Sequence, residues 1–408
     1  MSETGREASR PTLLVLASTY PRWEGDTEPG FVHELCRRMT SDFHVIALCP
    51  HAHGALEREF MDGVEVIRYR YAPSRWERLV NDGGIVTNLR RHRWMLALVP
   101  GFVLMQAWHA WRLMRKRKID VMHAHWLIPQ GLIAALVPFF TPQAPPFVVT
   151  SHGADLYALR GAALEAVKRF VVRRSAAASV VSEAMREKLF EIGADTRKVK
   201  VLPMGVDLVS RFTPSPTVAR SVDEILFVGR LVEKKGLTHL VAVLRQVLDK
   251  FPQARLTVAG FGPDAESLAA QVRASGLCDS VTFLGAVKQD ELPALYRRAA
   301  IFVAPFVQAA SGDQEGLPVA LMEALGCGCP VVVGHVAGIE DIFGVSTAEL
   351  TVDPKNHDAL AARIVEALAD PERARAHALR IRGQLRDRLD WNRIAERYAA
   401  LLRNAAPG

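Results

Sequence analysis

Over most of its length the chain alternates short apolar runs, rich in β-branched residues, with amphipathic stretches of helical period. TLLVLAS, FHVIALC, VEVIRYR, IDVMHAHW, PFVVTSH, AASVVS and VKVLPMG form a first series, interrupted by stretches such as FVHELCRRM and AALEAVKRFVVRR. EILFVGR, ARLTVAG, SVTFLGA, IFVAPF and PVVVGH form a second, alternating with LTHLVAVLRQVLDKF, DAESLAAQVRASG and ELPALYRRA. Uniformly apolar runs fit strands covered on both faces, and strands that alternate with helices pair in parallel. Each series therefore predicts a doubly wound α/β sheet. Between them, DLVSRFTPSPTVARSVD has no period and is rich in Pro, Ser and Thr, so it reads as a linker. At 408 residues the chain exceeds what one core supports. Two domains are expected, over residues 1–208 and 209–388. Two such domains facing each other enclose a cleft at the carboxyl ends of their strands, where this architecture binds ligands.

Composition narrows the possibilities. The five cysteines are odd in number and form no CxxC pair, which argues against a disulfide framework or a structural zinc site and suits a reducing cytoplasm. The polar leader MSETGREASR and the six-residue apolar run behind it are too short for a signal peptide, so the run is read as a first strand. The longest apolar region, Trp94 to Met114, contains Pro100, Gln106 and His109; it is expected to be a helix that falls short of a bilayer span. Lys and Arg outnumber Asp and Glu 28 to 21 in residues 1–210 and balance 23 to 23 thereafter, so the net charge of +7 lies in the first half. Its densest parts, LRRHRW and RKRK, bracket the apolar region, a pattern that reads either as affinity for an anionic membrane or as a core helix with solvated ends.

The chemistry is concentrated in the second half. In LFVGRLVEKKG, Arg230, Lys234 and Lys235 lie between a strand end and a helix start, where a phosphate suits both the cations and the helix terminus. AGFGP places a glycine pair, Gly260 and Gly262, after another strand. EGLPVALMEALGCGCPVVV then raises a question, because Glu323 falls in the middle of an almost wholly apolar helix that starts near Pro318. A buried glutamate can be held by an Arg or Lys of a neighbouring helix, or it can accept the paired hydroxyls of a ribose. The cationic loop and a second carboxylate, Glu315, in the loop before the helix favour the ribose, with all three converging on one nucleotide diphosphate.

GRLVEKKG followed by EGLPVALMEALGCGCPVV resembles the signature of the family 4 retaining glycosyltransferases, which share the GT-B fold of two facing Rossmann-like domains. STYPRWEGDTEPGFVHELC, DVMHAHW, TSHGADLYALRG and VLPMGVDL are similar to that family too, so the resemblance spans most of the chain. It implies that Arg230 and Lys235 bind the donor diphosphate, Glu323 the ribose, and Glu315, with Gly316 and Leu317, the donor sugar. His152 would approach the sugar near its anomeric centre, making His152 and Glu315 the residues of the reacting centre, with no nucleophile assigned. Gly30 would approach the phosphates from the first domain, although here Gly25 and Gly30 stand apart where many relatives carry adjacent glycines. A final helix at about 389–408 is expected to cross back to the first domain. The implied reaction is metal-independent, needs no cofactor, and moves a sugar from a UDP- or GDP-sugar to a saccharide or lipid-linked acceptor in cell-surface polysaccharide synthesis, at the cytoplasmic face of the membrane. No DxD triplet occurs in the sequence.

Three other readings compete. His123 and His125 alternate on one strand and could join His152 and Asp155 in the metal site of a hydrolase. That would leave the Arg230 loop and both glutamates unexplained. The pI near 9.3 and the basic clusters beside Trp94 and Trp111 would suit a nucleic-acid binder. An inactive nucleotide-sugar-binding module is the third, against which the joint presence of His152, Arg230, Lys235, Glu315 and Glu323 argues. A phosphorylase of the same fold, built on pyridoxal phosphate, would be much larger.

Overall fold

A computed structural model describes residues 10–26, 28, 30–81, 84–141 and 143–406. The polar leader of residues 1–9 lies outside the described residues. The first half holds strands β1 (Thr12–Leu16), β2 (His44–Pro50), β3 (Arg58–Met61), β4 (Val64–Tyr69), β5 (Val121–His125), β6 (Phe147–Ser151), β7 (Ala177–Val180) and β8 (Val199–Val201). They form one sheet in the order β3-β4-β2-β1-β5-β6-β7-β8, parallel except for the hairpin β3–β4. The second half holds β9 (Glu224–Val228), β10 (Arg255–Ala259), β11 (Val281–Gly285), β12 (Ile301–Ala304), β13 (Val331–Gly334) and β14 (Thr351–Val352), a parallel sheet in the order β11-β10-β9-β12-β13-β14.

The alternating pattern thus gives two doubly wound sheets. Each of the twelve apolar runs forms a strand, and the inner strands are almost wholly buried because helices cover both faces, whereas the edge strand β11 exposes Thr282, Phe283 and Leu284. Two strands have no counterpart in that reading. The β3–β4 hairpin turns at Asp62 and Gly63, both at positive φ, and the Asp-Gly pair was its signal. β14 is two residues long, too short for any periodicity.

The chain crosses between the sheets twice, and the crossings are hydrogen-bonded to each other. Val206 N–H donates to Leu389 O at 2.9 Å, and Trp391 N–H donates to Val206 O at 3.2 Å. Beyond the second crossing the helix Trp391–Ala405 packs on β5, β6 and the helix Phe31–Arg38 of the first sheet. The segment read as a linker carries no helix or strand, yet it is packed: Leu208 and Phe212 are buried in the core of the second half, and Arg220 donates to the carbonyls of Tyr296 and Ala299.

The apolar region at 94–114 forms a 3-10 turn, Arg93–Leu98, and then the helix Val99–Lys116, with Pro100 in its first turn where no backbone donor is lost. Among the described residues no helix is long and apolar enough to cross a membrane. The inner face of this helix carries a buried amide, Gln106, whose Nε2 donates to Ala17 O at 3.2 Å and Leu48 O at 3.3 Å while its Oε1 accepts from Gln130 Nε2 at 3.1 Å. It thereby ties the helix to the segments leaving β1 and β2. Replacing Gln106 with Leu takes the acceptor from Gln130 Nε2 and a donor from the Ala17 carbonyl, while the Leu48 carbonyl keeps the Ala17 N–H at 3.2 Å, so Gln106→Leu is expected to lower stability by about 1–3 kcal/mol in urea titrations. A variant as stable as the parent would show these bonds to be replaceable by water.

Candidate active site

The carboxyl ends of both sheets meet across one cleft. On the second-domain side, β9 runs into Gly229 and Arg230, followed by a 3-10 turn at Glu233–Lys235 and the helix Leu237–Leu248. Gly236 joins turn to helix at φ +69°, and a Cβ there would come within 1.8 Å of the Pro305 carbonyl oxygen. Only glycine lets the two loops pack this closely, which places the lysines against the loop that follows β12.

That loop supplies the counter-charge. Lys235 Nζ lies 3.3 Å from Glu315 Oε2 and 5.0 Å above the Phe306 ring, while Lys234 Nζ lies 3.5 Å from Glu315 Oε1 and 3.3 Å from Asp313 Oδ2. Burial alone would raise the pKa of Glu315, but the Lys235 and Lys234 ammonium groups outweigh it and hold the carboxyl at about 2. Burial pushes Lys235 down; for Lys234 it is outweighed by Glu315 and Asp313, which hold its ammonium up. At neutral pH Glu315 is thus a carboxylate between two cations. Arg230 points the other way, its Nη2 3.6 Å from Glu28 Oε2 of the first domain. Glu28 carries no signal in the sequence, because only closure of the cleft brings it to Arg230.

The first-domain wall consists of the ends of β5 and β6. His152, just past β6, is half-buried; its Nε2 lies 2.9 Å from Nδ1 of His125, and its ring rests against Phe31 and Trp126 at centroid distances of 5.0 and 4.9 Å. Gly153 follows at φ +108°, and a Cβ on it would lie 3.3 Å from the Gly316 backbone. The two domains therefore touch through glycines between His152 and Glu315, which closes the distance between the two chemistries. Leu317 packs on the cores of both domains. Further bonds span the cleft: Glu183 N–H to Asp341 Oδ2 at 2.8 Å, and Arg160 Nη2 to Gly312 O at 3.2 Å.

Gly30 caps the helix Phe31–Arg38 with unstrained dihedrals, and a Cβ on it would meet only Pro21 Cγ at 3.7 Å. Nothing in the fold itself demands glycine there. Its position beside Phe31, which touches His152, places it at the first-domain wall.

Glu323 is buried within the helix Val319–Gly326. Its Oε1 accepts from Gln289 Nε2 at 2.6 Å and its Oε2 from Tyr296 OH at 3.0 Å, and burial raises its pKa above the usual carboxylate range. The Arg or Lys partner that a purely structural role called for is not there. Two neutral donors satisfy the carboxylate without burying a second charge. Gln289 and Tyr296 were not read from the sequence, since contact across 34 and 27 residues has no local signature.

The metal-hydrolase grouping is corrected by the geometry. His123 Nε2 faces Thr150 Oγ1 at 2.7 Å, His125 is engaged with His152, and both Asp155 oxygens are spent on Leu127 N, Ser151 Oγ and His152 N. Among the described residues no group of three or more His, Cys, Asp or Glu is placed to hold a metal ion. Alternation along β5 put both histidines on one face, but each found its own partner there.

Residues 216–384 match the family model of glycosyl transferases group 1, and residues 31–205 match that of the glycosyl transferase 4-like domain. The chain belongs to the group 1 glycosyltransferases. It is 29% identical over 270 residues to the GDP-mannose-dependent alpha-(1-6)-phosphatidylinositol monomannoside mannosyltransferase of Mycobacterium tuberculosis, covering 63% of this chain and 69% of that one. It is 31% identical over 254 residues to the putative colanic acid biosynthesis glycosyltransferase WcaL of Escherichia coli, covering 60% and 61%. In fold it is similar to the sucrose-phosphate synthase of Thermosynechococcus elongatus, with a TM-score of 0.76 at 21% identity over 97% of this chain and 99% of the other. Anabaena HepE in complex with UDP and glucose aligns with a TM-score of 0.72 at 17% identity, over 97% and 100%. The two facing sheets of this glycosyltransferase are therefore the GT-B arrangement.

Burial holds the histidines of the wall neutral: His123 and His152 are pushed down to about 3, and His125 well below its ordinary value by burial and by its two histidine neighbours. For fully buried His123 the sign is direct. Between about pH 6.5 and pH 3 the unfolded chain carries a proton there that the folded enzyme does not, so stability falls as pH drops through that window. In a His123→Asn variant this dependence is absent, and the parent's stability relative to the variant should shrink by about 2 kcal/mol from pH 7 to pH 5 in urea titrations. A difference that stays constant with pH would mean that His123 titrates normally in the fold.

Proposed function

We propose that this glycosyltransferase moves a sugar from a UDP- or GDP-sugar to a saccharide or lipid-linked saccharide with retention at the anomeric carbon, without a metal ion. The observation that carries this reading is the set of three cations at the carboxyl end of β9, Lys234 and Lys235 held on Glu315 and Arg230 on Glu28, facing His152 across a closed cleft. A diphosphate is the leaving group such a set suits. As the bond from the anomeric carbon to the phosphate oxygen breaks, negative charge grows on the diphosphate, and fixed cations in a site shielded from water neutralise it. The acceptor hydroxyl attacks the same face through an oxocarbenium-like state, and its proton passes to the departing phosphate oxygen. Arg230 exchanges Glu28 for phosphate oxygens when the donor enters. Glu315 keeps its charge at every physiological pH and accepts hydrogen bonds from the donor sugar's hydroxyls, with Gly316 and Leu317 lining the same subsite. Glu323 uses the lone pairs left over by Gln289 and Tyr296 for the ribose. Gly30 leaves room above its helix for phosphate.

The acceptor side is the first domain. The turn and helix at 93–116 bury Met95, Leu98, Phe102 and Gln106 but expose Trp94, Leu96, Leu104 and Trp108, the last stacked on Trp111, whose ring also lies under Arg115. An exposed aromatic face ringed by arginines suits the headgroup region of an anionic membrane. The relative from Mycobacterium tuberculosis is named a phosphatidylinositol monomannoside mannosyltransferase, and that name supports a lipid-linked acceptor here.

Calorimetric titration with UDP, GDP and ADP, with and without EDTA, tests the donor site. One nucleotide is expected to bind with micromolar affinity regardless of EDTA, and Arg230→Ala and Glu323→Ala should each weaken it about tenfold or more. Absence of binding by all three nucleotides would remove the reading. Sedimentation with vesicles containing anionic lipid at low salt tests the acceptor face: the parent is expected to bind and Trp94→Ser/Trp108→Ser to bind less. Parent protein that stays in the supernatant would exclude the membrane face.

A further inference from the structure

Behind His152 the first-domain wall contains two fully buried histidines that the transfer reaction does not use. Counting their protons decides how His152 itself is protonated. Burial keeps all three rings neutral, so each has one N–H and one bare nitrogen.

One hydrogen lies between His125 Nδ1 and His152 Nε2, which are 2.9 Å apart. Were His125 the acceptor, its own proton would sit on Nε2, a buried nitrogen without a hydrogen-bond partner. An orphaned buried N–H is the rarer and costlier defect, whereas a buried lone pair is better tolerated. The proton of His125 therefore belongs on Nδ1.

The same rule orders the neighbouring ladder. A proton on Nε2 of His123 has Thr150 Oγ1 as its acceptor at 2.7 Å, whereas a proton on Nδ1 would have none among the described residues. Thr150 Oγ1 is then free to donate to Ser179 Oγ at 2.6 Å, Ser179 faces Tyr398 OH at 3.5 Å, and Tyr398 OH donates to the carbonyl of Leu202 at 2.7 Å. This leaves Nδ1 of His123 bare, and that atom is the other buried nitrogen without a partner. Both orphaned nitrogens are thus lone pairs, and no N–H in the wall is stranded.

We infer that His125 is a positioning residue: it donates from Nδ1 to Nε2 of His152 and so fixes His152 as the Nδ1–H tautomer, a hydrogen-bond donor to the sugar. The rings are nearly parallel, 8° apart, and Phe31 and Trp126 flank His152, so its ring cannot turn to exchange its nitrogens without losing that bond and displacing those contacts. A donor aimed at the sugar suits oxygens that gain charge or need orientation; a lone pair would repel them. The tautomer is a property of the fold, while its catalytic consequence rests on the transferase reading.

The experiment uses the full chain labelled with 15N-histidine, with the His152 signals identified by their loss in His152→Asn. The parent should show His152 protonated at Nδ1. His125→Asn, whose amide nitrogen replaces Nδ1, should keep that tautomer and stay within about threefold of the parent in hydrolysing UDP-glucose or GDP-mannose. His125→Gln, which displaces the amide by one bond, should move the proton to Nε2 and lower kcat about tenfold or more with KM for the donor unchanged. A His152 signal protonated at Nε2 in the parent overturns the inference, as does equal kcat in the Asn and Gln variants when thermal melting shows both folded. The Nδ1–H signal in a parent that turns over neither sugar nucleotide supports the tautomer and counts against the transferase reading instead.

Discussion

Two backbone hydrogen bonds where the chain passes between its sheets set the relation of everything else. Val206 and Trp391 pair at the only place where both passages run side by side among the described residues. Val206 is buried in the core of the second half and Trp391 in that of the first, so this pairing fastens one core to the other. Other contacts across the cleft include glycine against glycine at 153 and 316, Arg160 on the Gly312 carbonyl, the Glu183 N–H on Asp341, the Arg230–Glu28 ion pair, and Leu317 packed on both cores. The polar ones among them can each be broken and remade at modest cost.

Within the cleft the organising force is charge placed where water is scarce. Lys234 and Lys235 are affordable there only because Glu315 and Asp313 face them, and Glu315 stays ionised only because the lysines do. The wall opposite follows the reverse rule, since among the described residues none of its three imidazole rings is hydrogen-bonded to a carboxylate, and burial takes their charge. The cleft thus sets fixed ions on one side against neutral imidazoles on the other.

Much of this was legible in the sequence. The period of apolar residues marked twelve of the fourteen strands among the described residues, because doubly covered strands must be apolar throughout; the two it passed over are β3, the half-exposed outer strand of an edge hairpin, and the two-residue β14. Arg230, Lys235, Glu315, Gly316 and His152 were singled out by residue type and motif, and the structure gathers them around one cleft. Glu323 was identified as buried, but Gln289 and Tyr296 were not foreseen as its partners, as a helix pattern says which face is covered and not what covers it. His123 and His125, which alternation put on one face, were read with His152 and Asp155 as one possible metal set, whereas His123 and Asp155 each hydrogen-bond elsewhere and His125 engages His152.

The sequence by itself determined the two sheets, their mostly parallel order of strand and helix, and the loops that carry the cations and carboxylates, because these follow from periodicity and turn chemistry over a few residues at a time. Tertiary structure alone decided that Glu28 faces Arg230, that Gln289 and Tyr296 hold Glu323, and that His125 stands behind His152. Each of those contacts joins residues far apart in the chain, and a hydrogen bond depends on tenths of an ångström that no local pattern specifies.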